Sequence, residues 1–437
     1  MKITLIVFYI GISFFSFVNA QTSNITINNY DIEAVLSESA QSIDINLICN
    51  ISKTDSLSPL QFLFNSTANL HSLTYMKDDK WPEIPFSFNG KDSLLLLTEE
   101  NFIKSNNYKL KFEYSFPLNE LNDTLLILDR GHRWYPLIGN QVFTYKLKCQ
   151  VPKSFSVLSS GNLTEEKNEN DKSVFTWECE KAVFKLPLII FNPEVYKKTE
   201  LITAENNIEF YSLTLDSTKT INILSQADSI LSYFNKALGK YNRSKLIYFE
   251  VSDFEGVNVG SGLLTTGIQT LEMIDKGYKD ALILTLAQQW FGAGVFADFN
   301  ASGFFFFSIS LPHYLRLMYV RDSEGEEAFN KSLLKPLDRY KEFAGSERDV
   351  SIINVNMPDT KEKAIVLYAK GPFVLSKIEK EMGGENWMLF LRDLYRNFCG
   401  KVMTYDDFKN YMAKYDKSGR TLTLFEKLMN EKGMDGE

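Results

Sequence analysis

The chain has 437 residues, 44% of them hydrophobic and 14% aromatic, with a net charge of −8 at pH 7. That composition fills large cores and excludes a disordered chain, and the length points to two or three domains. The negative balance disfavours nucleic acid and anionic membrane surfaces.

The first twenty residues, MKITLIVFYIGISFFSFVNA, carry one lysine and then an apolar run to Val18. Val18 and Ala20 supply the small residues of a signal-peptidase site, so residues 1–20 are expected to be a signal peptide and Gln21 the mature start. No cysteine follows the cut, which argues against a lipoprotein. The competing reading, an uncleaved anchor, has only a short run for a span of ~20 residues. No later segment is apolar and long enough to cross a bilayer, so the expected location is periplasmic or secreted.

From Gln21 to about Thr203 the pattern is strand after strand. Tyr108, Leu110, Phe112, Tyr114 and Phe116 alternate with polar residues, as do Phe143, Tyr145, Leu147, Cys149 and Val151. Phe175, Trp177 and Cys179 repeat the theme. Period-two alternation broken by turn residues predicts an antiparallel β-sandwich over 21–203 with one solvated face. Four cysteines, Cys49, Cys149, Cys179 and Cys399, are too few for a disulfide scaffold and form no metal-type pair. Cys149 and Cys179 pairing, or remaining two buried thiols, are both open. Asn65 and Asn162 head glycosylation sequons that matter only in a host that uses them.

After residue 204 the period changes. Asn207–Leu215 and Lys245–Val251 read as strands. Between them Ile223, Leu224, Ala227, Ile230, Leu231, Phe234 and Leu238 form one apolar helix stripe. Helical patterns then dominate to Glu437, with a capping-box start at Thr404 and Asp407. The predicted class is α+β, with a mixed sheet and mainly helical domain over 204–437. Of the three histidines, His71, His132 and His313, none lies within a helical turn of another, so no histidine-rich site arises from local spacing. His132 and His313 read as surface or loop residues, the latter at the start of a helical turn.

Residues Leu284–Gly292 read LTLAQQWFG. This run resembles the zinc helix of the membrane alanyl aminopeptidase family of gluzincin peptidases (peptidase M1-like), where His-Glu-x-x-His precedes Gln-Trp-Phe-Gly. Gln289, Trp290, Phe291 and Gly292 stand in the family's order. Leu284 and Gln288 stand where the resemblance places the histidines, and Thr285 where it places the glutamate base. Leucine has no lone pair, a glutamine amide is not a donor that such zinc sites use, and a threonine hydroxyl is no general base near neutral pH. The third family ligand, a glutamate about nineteen residues past the second histidine, falls on Phe307 within Phe304–Phe307.

Three further stretches carry the resemblance. EGVNVGSGLL, Glu255–Leu264, sits where the family has Gly-Ala-Met-Glu-Asn-x-Gly-Leu, an edge strand that pairs with substrate backbone and holds its amine with a glutamate. Aligned on Gly262 and Leu263, that glutamate becomes Val259, while Glu255 reads as a solvated strand-end carboxylate. Tyr368, in Leu367–Gly371, matches the family tyrosine that donates to the oxyanion; its phenol can still donate. The run Trp134-Tyr135-Pro136 with FTYKLKCQVP and SSGNL resembles the second half of the family's N-terminal β domain, a match made of packing residues. The match spans roughly Trp134 to Glu437, and the family's C-terminal helical domain is expected to be absent.

The resemblance implies an aminopeptidase-N-type β domain over 21–203 and a thermolysin-like domain over 204–437. Zinc-dependent aminopeptidase hydrolysis would be its activity. The substituted positions imply instead a non-catalytic binding or scaffold protein with no zinc and no other cofactor. Its partner would be an unknown protein or peptide, with Gly256, Val259, Gly262 and Leu263 lining a peptide edge strand. Leu284, Val259 and Phe307 are expected to fill the former metal space. The alternatives are an active metallopeptidase using other ligands, with Asp298, Glu326 and Glu327 as unspaced candidates, and an extracytoplasmic accessory subunit.

Overall fold

The computed structural model describes residues 25–39, 41–53, 60–89, 94–97, 107–118, 124–252 and 254–434. The expected signal peptide and the start at Gln21 lie outside them. The chain forms two compact units. One comprises 1–200, 209–216 and 243–268; the other comprises 201–208, 217–242 and 269–437.

The first unit is built on a seven-stranded sheet. Its order is Asn162–Glu169, Lys172–Val183, Phe143–Pro152, Ile25–Leu36, Ser42–Lys53, Asn107–Pro117 and Asn69–Tyr75. Asn107–Pro117 buries every second residue, Tyr108 through Phe116, as its alternation predicts. Phe112 and Tyr114 meet a second layer edge-on: Phe62 lies 5.3 Å from Phe112 and Phe64 lies 4.7 Å from Tyr114. One neighbouring pair departs from the antiparallel expectation, since Ile25–Leu36 runs parallel to Phe143–Pro152. More than a hundred residues separate the two strands, so no hairpin forces them antiparallel.

The register of this sheet decides the cysteines. Cys149 faces Phe175 and Cys179 faces Tyr145 on the neighbouring strand. Four rungs at about 3.3 Å place the two thiols roughly 13 Å apart, beyond disulfide reach. Both are free and buried, and burial pushes the Cys149 thiol up to about 12.

A five-stranded sheet has the order Lys197–Ile202, Asn207–Ser212, Leu246–Val251, Leu263–Gly267, Val257–Val259. Leu246–Val251 pairs parallel with Leu263–Gly267, which pairs antiparallel with Val257–Val259. Val257–Val259 is therefore the last strand of a mixed sheet.

The second unit is helical. Ser217–Leu238 buries Ile223, Leu224, Ala227, Ile230, Leu231, Phe234 and Leu238, the stripe read from its spacing. Thr404 and Asp407 cap Tyr405–Tyr415 reciprocally. Two helices open on a π turn: the Leu311 N–H bonds to the Phe306 carbonyl and the Gly371 N–H to that of Val366. Among the described residues no helix is long and apolar enough to cross a membrane. The class is α+β, as the change of period predicts.

Candidate functional site

In the second unit, Asp280–Ala287 is buried from Ala281 through Ala287, because it carries no charge after Asp280. Leu284 and Gln288 lie one turn apart on the same face, and the Gln288 N–H bonds to the Leu284 carbonyl at 3.0 Å. The Gln288 side chain is 9% exposed, and its Oε1 has no protein partner. The Thr285 hydroxyl donates to the Leu282 carbonyl at 3.1 Å, a bond within its own helix. Trp290 closes this end, its Nε1 donating to the Gly239 carbonyl at 2.8 Å.

Phe307 lies in the π turn Phe306–Ser310 and is 4% exposed. Its ring is 4.9 Å from Phe408 and 6.2 Å from Tyr405, an aromatic cluster that continues to Phe425. Tyr368 lies in the other π turn, Val366–Lys370. Ser310 Oγ donates to the Leu367 carbonyl at 2.7 Å and ties the two turns together.

His313 is the third residue of the helix Leu311–Glu324, at the helical start expected after Pro312; it is half-buried rather than in a loop, with its ring 6.4 Å from that of Tyr368. Burial lowers its pKa to about 3, and the Arg316 charge adds to the effect. Arg316 is held by Asp280 at 2.7 Å.

These side chains do not fit a zinc ion. Leu284 and Phe307 have no donor atom, Gln288 offers one neutral amide, and the Thr285 hydroxyl is engaged within its helix. Asp298 caps its own turn through Asn300, and Glu326 and Glu327 are exposed at a helix start. Among the described residues no three His, Cys, Asp or Glu side chains converge as a metal group.

The first unit holds the edge strand. Gly267 N–H bonds to the Gly256 carbonyl at 3.0 Å and Gly260 N–H to that of Leu263 at 2.9 Å. These rungs turn Gly256, Asn258 and Gly260 inward. The alternate backbone groups of Val257 and Val259 point away from Leu263–Gly267. Gly256 and Gly262 adopt positive φ, 101° and 81°, which sets the turns on either side of the strand. Val259 is half-buried and Glu255 exposed.

Sequence reasoning missed one polar group beside this strand. Lys185 Nζ donates to Asn258 Oδ1 at 2.8 Å, across 73 residues of chain. Just before Trp134 lie Asp129, Arg130 and His132, of which the sequence singles out only His132, as a surface or loop residue. Basic residues flanking Trp134 and Phe184 were the signal available.

Comparison with solved structures gives the fold a name. The chain resembles an M1 zinc metallopeptidase of Deinococcus radiodurans, a glutamate-to-alanine mutant bound to a Tyr-Ser-Ala substrate. The TM-score is 0.72 at 12% identity, covering 94% of this chain and 96% of that one. A two-domain M1 zinc metallopeptidase mutant bound to L-tryptophan gives 0.74 at 12% identity, covering 95% and 96%. A third, bound to L-arginine, gives 0.72 at 13%, covering 95% and 96%. The fold is M1-like, over two domains. No family model matches the chain, and no curated protein matches it.

Proposed function

We propose that this protein is an exported, non-catalytic member of the M1-like fold that binds an extended peptide along Val257–Val259. The observation that supports the loss of catalysis is the residue set Leu284, Thr285, Gln288 and Phe307. None of these supplies the ligand or the base at the position where the resemblance requires one. Tyr368 retains a phenol, but an oxyanion donor accelerates nothing where no nucleophile is generated.

Peptide binding needs none of the lost side chains. Strand addition uses the backbone groups of Val257 and Val259, and these survive substitution. The test is a pair of measurements on the purified protein: hydrolysis of aminoacyl reporter substrates, and binding of fluorescent extended pentapeptides. No turnover together with saturable binding is expected. Turnover abolished by a chelator sinks the non-catalytic reading, and absence of peptide binding sinks the strand-addition reading. Export is tested separately by N-terminal sequencing of the mature chain, expected to start at Gln21.

A further inference from the structure

The helix Arg420–Asn430 runs into a short strap, Glu431–Gly433, whose main chain is held by three buried side chains. Lys370 donates from Nζ to the Glu431 carbonyl at 2.6 Å. Asp349, fully buried, accepts the Gly433 N–H on Oδ2 at 2.6 Å. The Tyr340 hydroxyl shares its proton between Asp349 Oδ2 at 2.8 Å and the Gly433 carbonyl at 3.0 Å. Oδ2 also accepts the Gly345 N–H at 2.8 Å. Gly433 has a φ of 77°, a conformation that glycine adopts without strain. The side chains of Glu431 and Lys432 are exposed, so the seat reads main-chain groups.

Lys370 is also the last residue of the π turn Val366–Lys370, which carries Tyr368. In that turn the Gly371 N–H bonds to the Val366 carbonyl, five residues back. An α turn would send the same N–H to the Leu367 carbonyl, four residues back. That carbonyl instead accepts from Ser310 Oγ at 2.7 Å. The wide turn is therefore clamped twice, by Ser310 on the Leu367 carbonyl and by the strap on the Lys370 side chain. Tightening to the α register would re-aim side chains in the turn by up to about 100°, the rotation per residue of an α-helix. It would draw the Lys370 ammonium off the Glu431 carbonyl and turn Tyr368 away from His313, whose ring lies 6.4 Å from its own.

We propose that the strap is a register latch. Seated, it holds Val366–Lys370 in the π form with Tyr368 beside His313; unseated, it lets the turn tighten. Asp349, Tyr340 and Lys370 are positioning residues that act on Tyr368 through the strap. Seating offsets part of the cost of burying a carboxylate and an ammonium, because each gains a main-chain partner there. Asp349 Oδ1 is buried with no protein partner, so the carboxylate holds the strap through Oδ2. A turn with two registers, biased by a segment some sixty residues further along the chain, is the physical requirement for a conformational switch. The latch is independent of peptide binding at Val257–Val259.

The experiment is amide hydrogen exchange, read by mass spectrometry, on the intact chain and two full-length variants. Gly433→Pro removes the N–H that Asp349 accepts and cannot adopt a positive φ, so it unseats the strap from its own side. Lys370→Met removes the ammonium from the turn side and keeps the question answerable if Gly433→Pro does not fold. In the unsubstituted chain the segments 431–434 and 366–371 are expected to be protected. In both variants exchange should rise about tenfold in the two segments, with the helix Ser217–Leu238 unchanged. Faster exchange in the strap with an unchanged turn at 366–371 overturns the latch. Equal acceleration in all three segments makes the strap an ordinary part of the global fold and overturns it too. A strap that exchanges in the unsubstituted chain as fast as an unfolded peptide overturns the seat itself.

Discussion

The Ser310 hydroxyl donates to the Leu367 carbonyl at 2.7 Å, joining the π turn that holds Phe307 to the one that holds Tyr368. The contact is possible because residue 371 is glycine. A Cβ at Gly371 would lie 2.1 Å from Ser310 Oγ and 2.4 Å from Ser310 Cβ. Gly371→Ala is therefore expected to destabilise the protein by about 3 kcal/mol, through overpacking against a short side chain that cannot swing aside. Denaturant unfolding checks this, and adding Ser310→Gly should recover part of the loss by clearing both atoms.

Restoring the residue the resemblance places at position 307 should harm the fold. Phe307→Glu moves a carboxylate into the aromatic cluster of Phe306, Tyr405 and Phe408. A loss of at least about 3 kcal/mol is expected, combining lost aromatic burial with an unpaired buried charge. Gln288→Leu should do the opposite. Its Oε1 is buried with no protein partner, so an apolar group of similar volume is expected to be neutral or stabilising by about 1 kcal/mol. Urea midpoints of the two variants decide both.

Much of this arrangement was legible in residue order. The alternation from Tyr108 to Phe116 marks a strand because period two assigns faces, and the Ile223–Leu238 stripe marks a helix for the parallel reason. Periodicity assigns a face but no partner, so the parallel neighbour of Ile25–Leu36 was not legible. The π turns were equally silent: one extra residue in a turn leaves no compositional trace at Phe306–Ser310 or Val366–Lys370. Contacts distant in sequence, such as Lys185 with Asn258 and His313 with Tyr368, exist only once the chain is folded.

His313 makes stability pH-dependent. Its folded pKa is lowered to about 3, whereas the unfolded value is about 6.5. Between those values the unfolded chain takes up a proton that the folded chain refuses, so stability falls as pH falls, by up to about 1.4 kcal/mol per unit. Above about 6.5 neither state is protonated and the contribution is flat. His313→Gln should reduce the drop in unfolding free energy between pH 7 and pH 5. An unchanged drop would show that His313 titrates normally. Asp129 titrates lower: its depressed pKa contributes stability above about 3.9, lost as pH falls towards 2.

The edge strand depends on a close backbone approach. A Cβ on Gly267 would lie 1.8 Å from the Phe254 carbonyl oxygen, at the point where Gly267 N–H bonds to Gly256. Gly267→Ala is expected to force the turn before Val257 away from its neighbour strand, cost more than about 2 kcal/mol and abolish peptide binding. Peptide titration alongside circular dichroism separates loss of the strand from loss of the fold.

The central claim is that the helix carrying Leu284 and Gln288 has no zinc chemistry. Its most direct test is metal analysis of the purified protein after incubation with zinc and gel filtration, with hydrolysis assayed on the same sample. The account predicts no retained zinc and no turnover. One zinc per chain, with turnover lost to a chelator and restored by zinc, would contradict it.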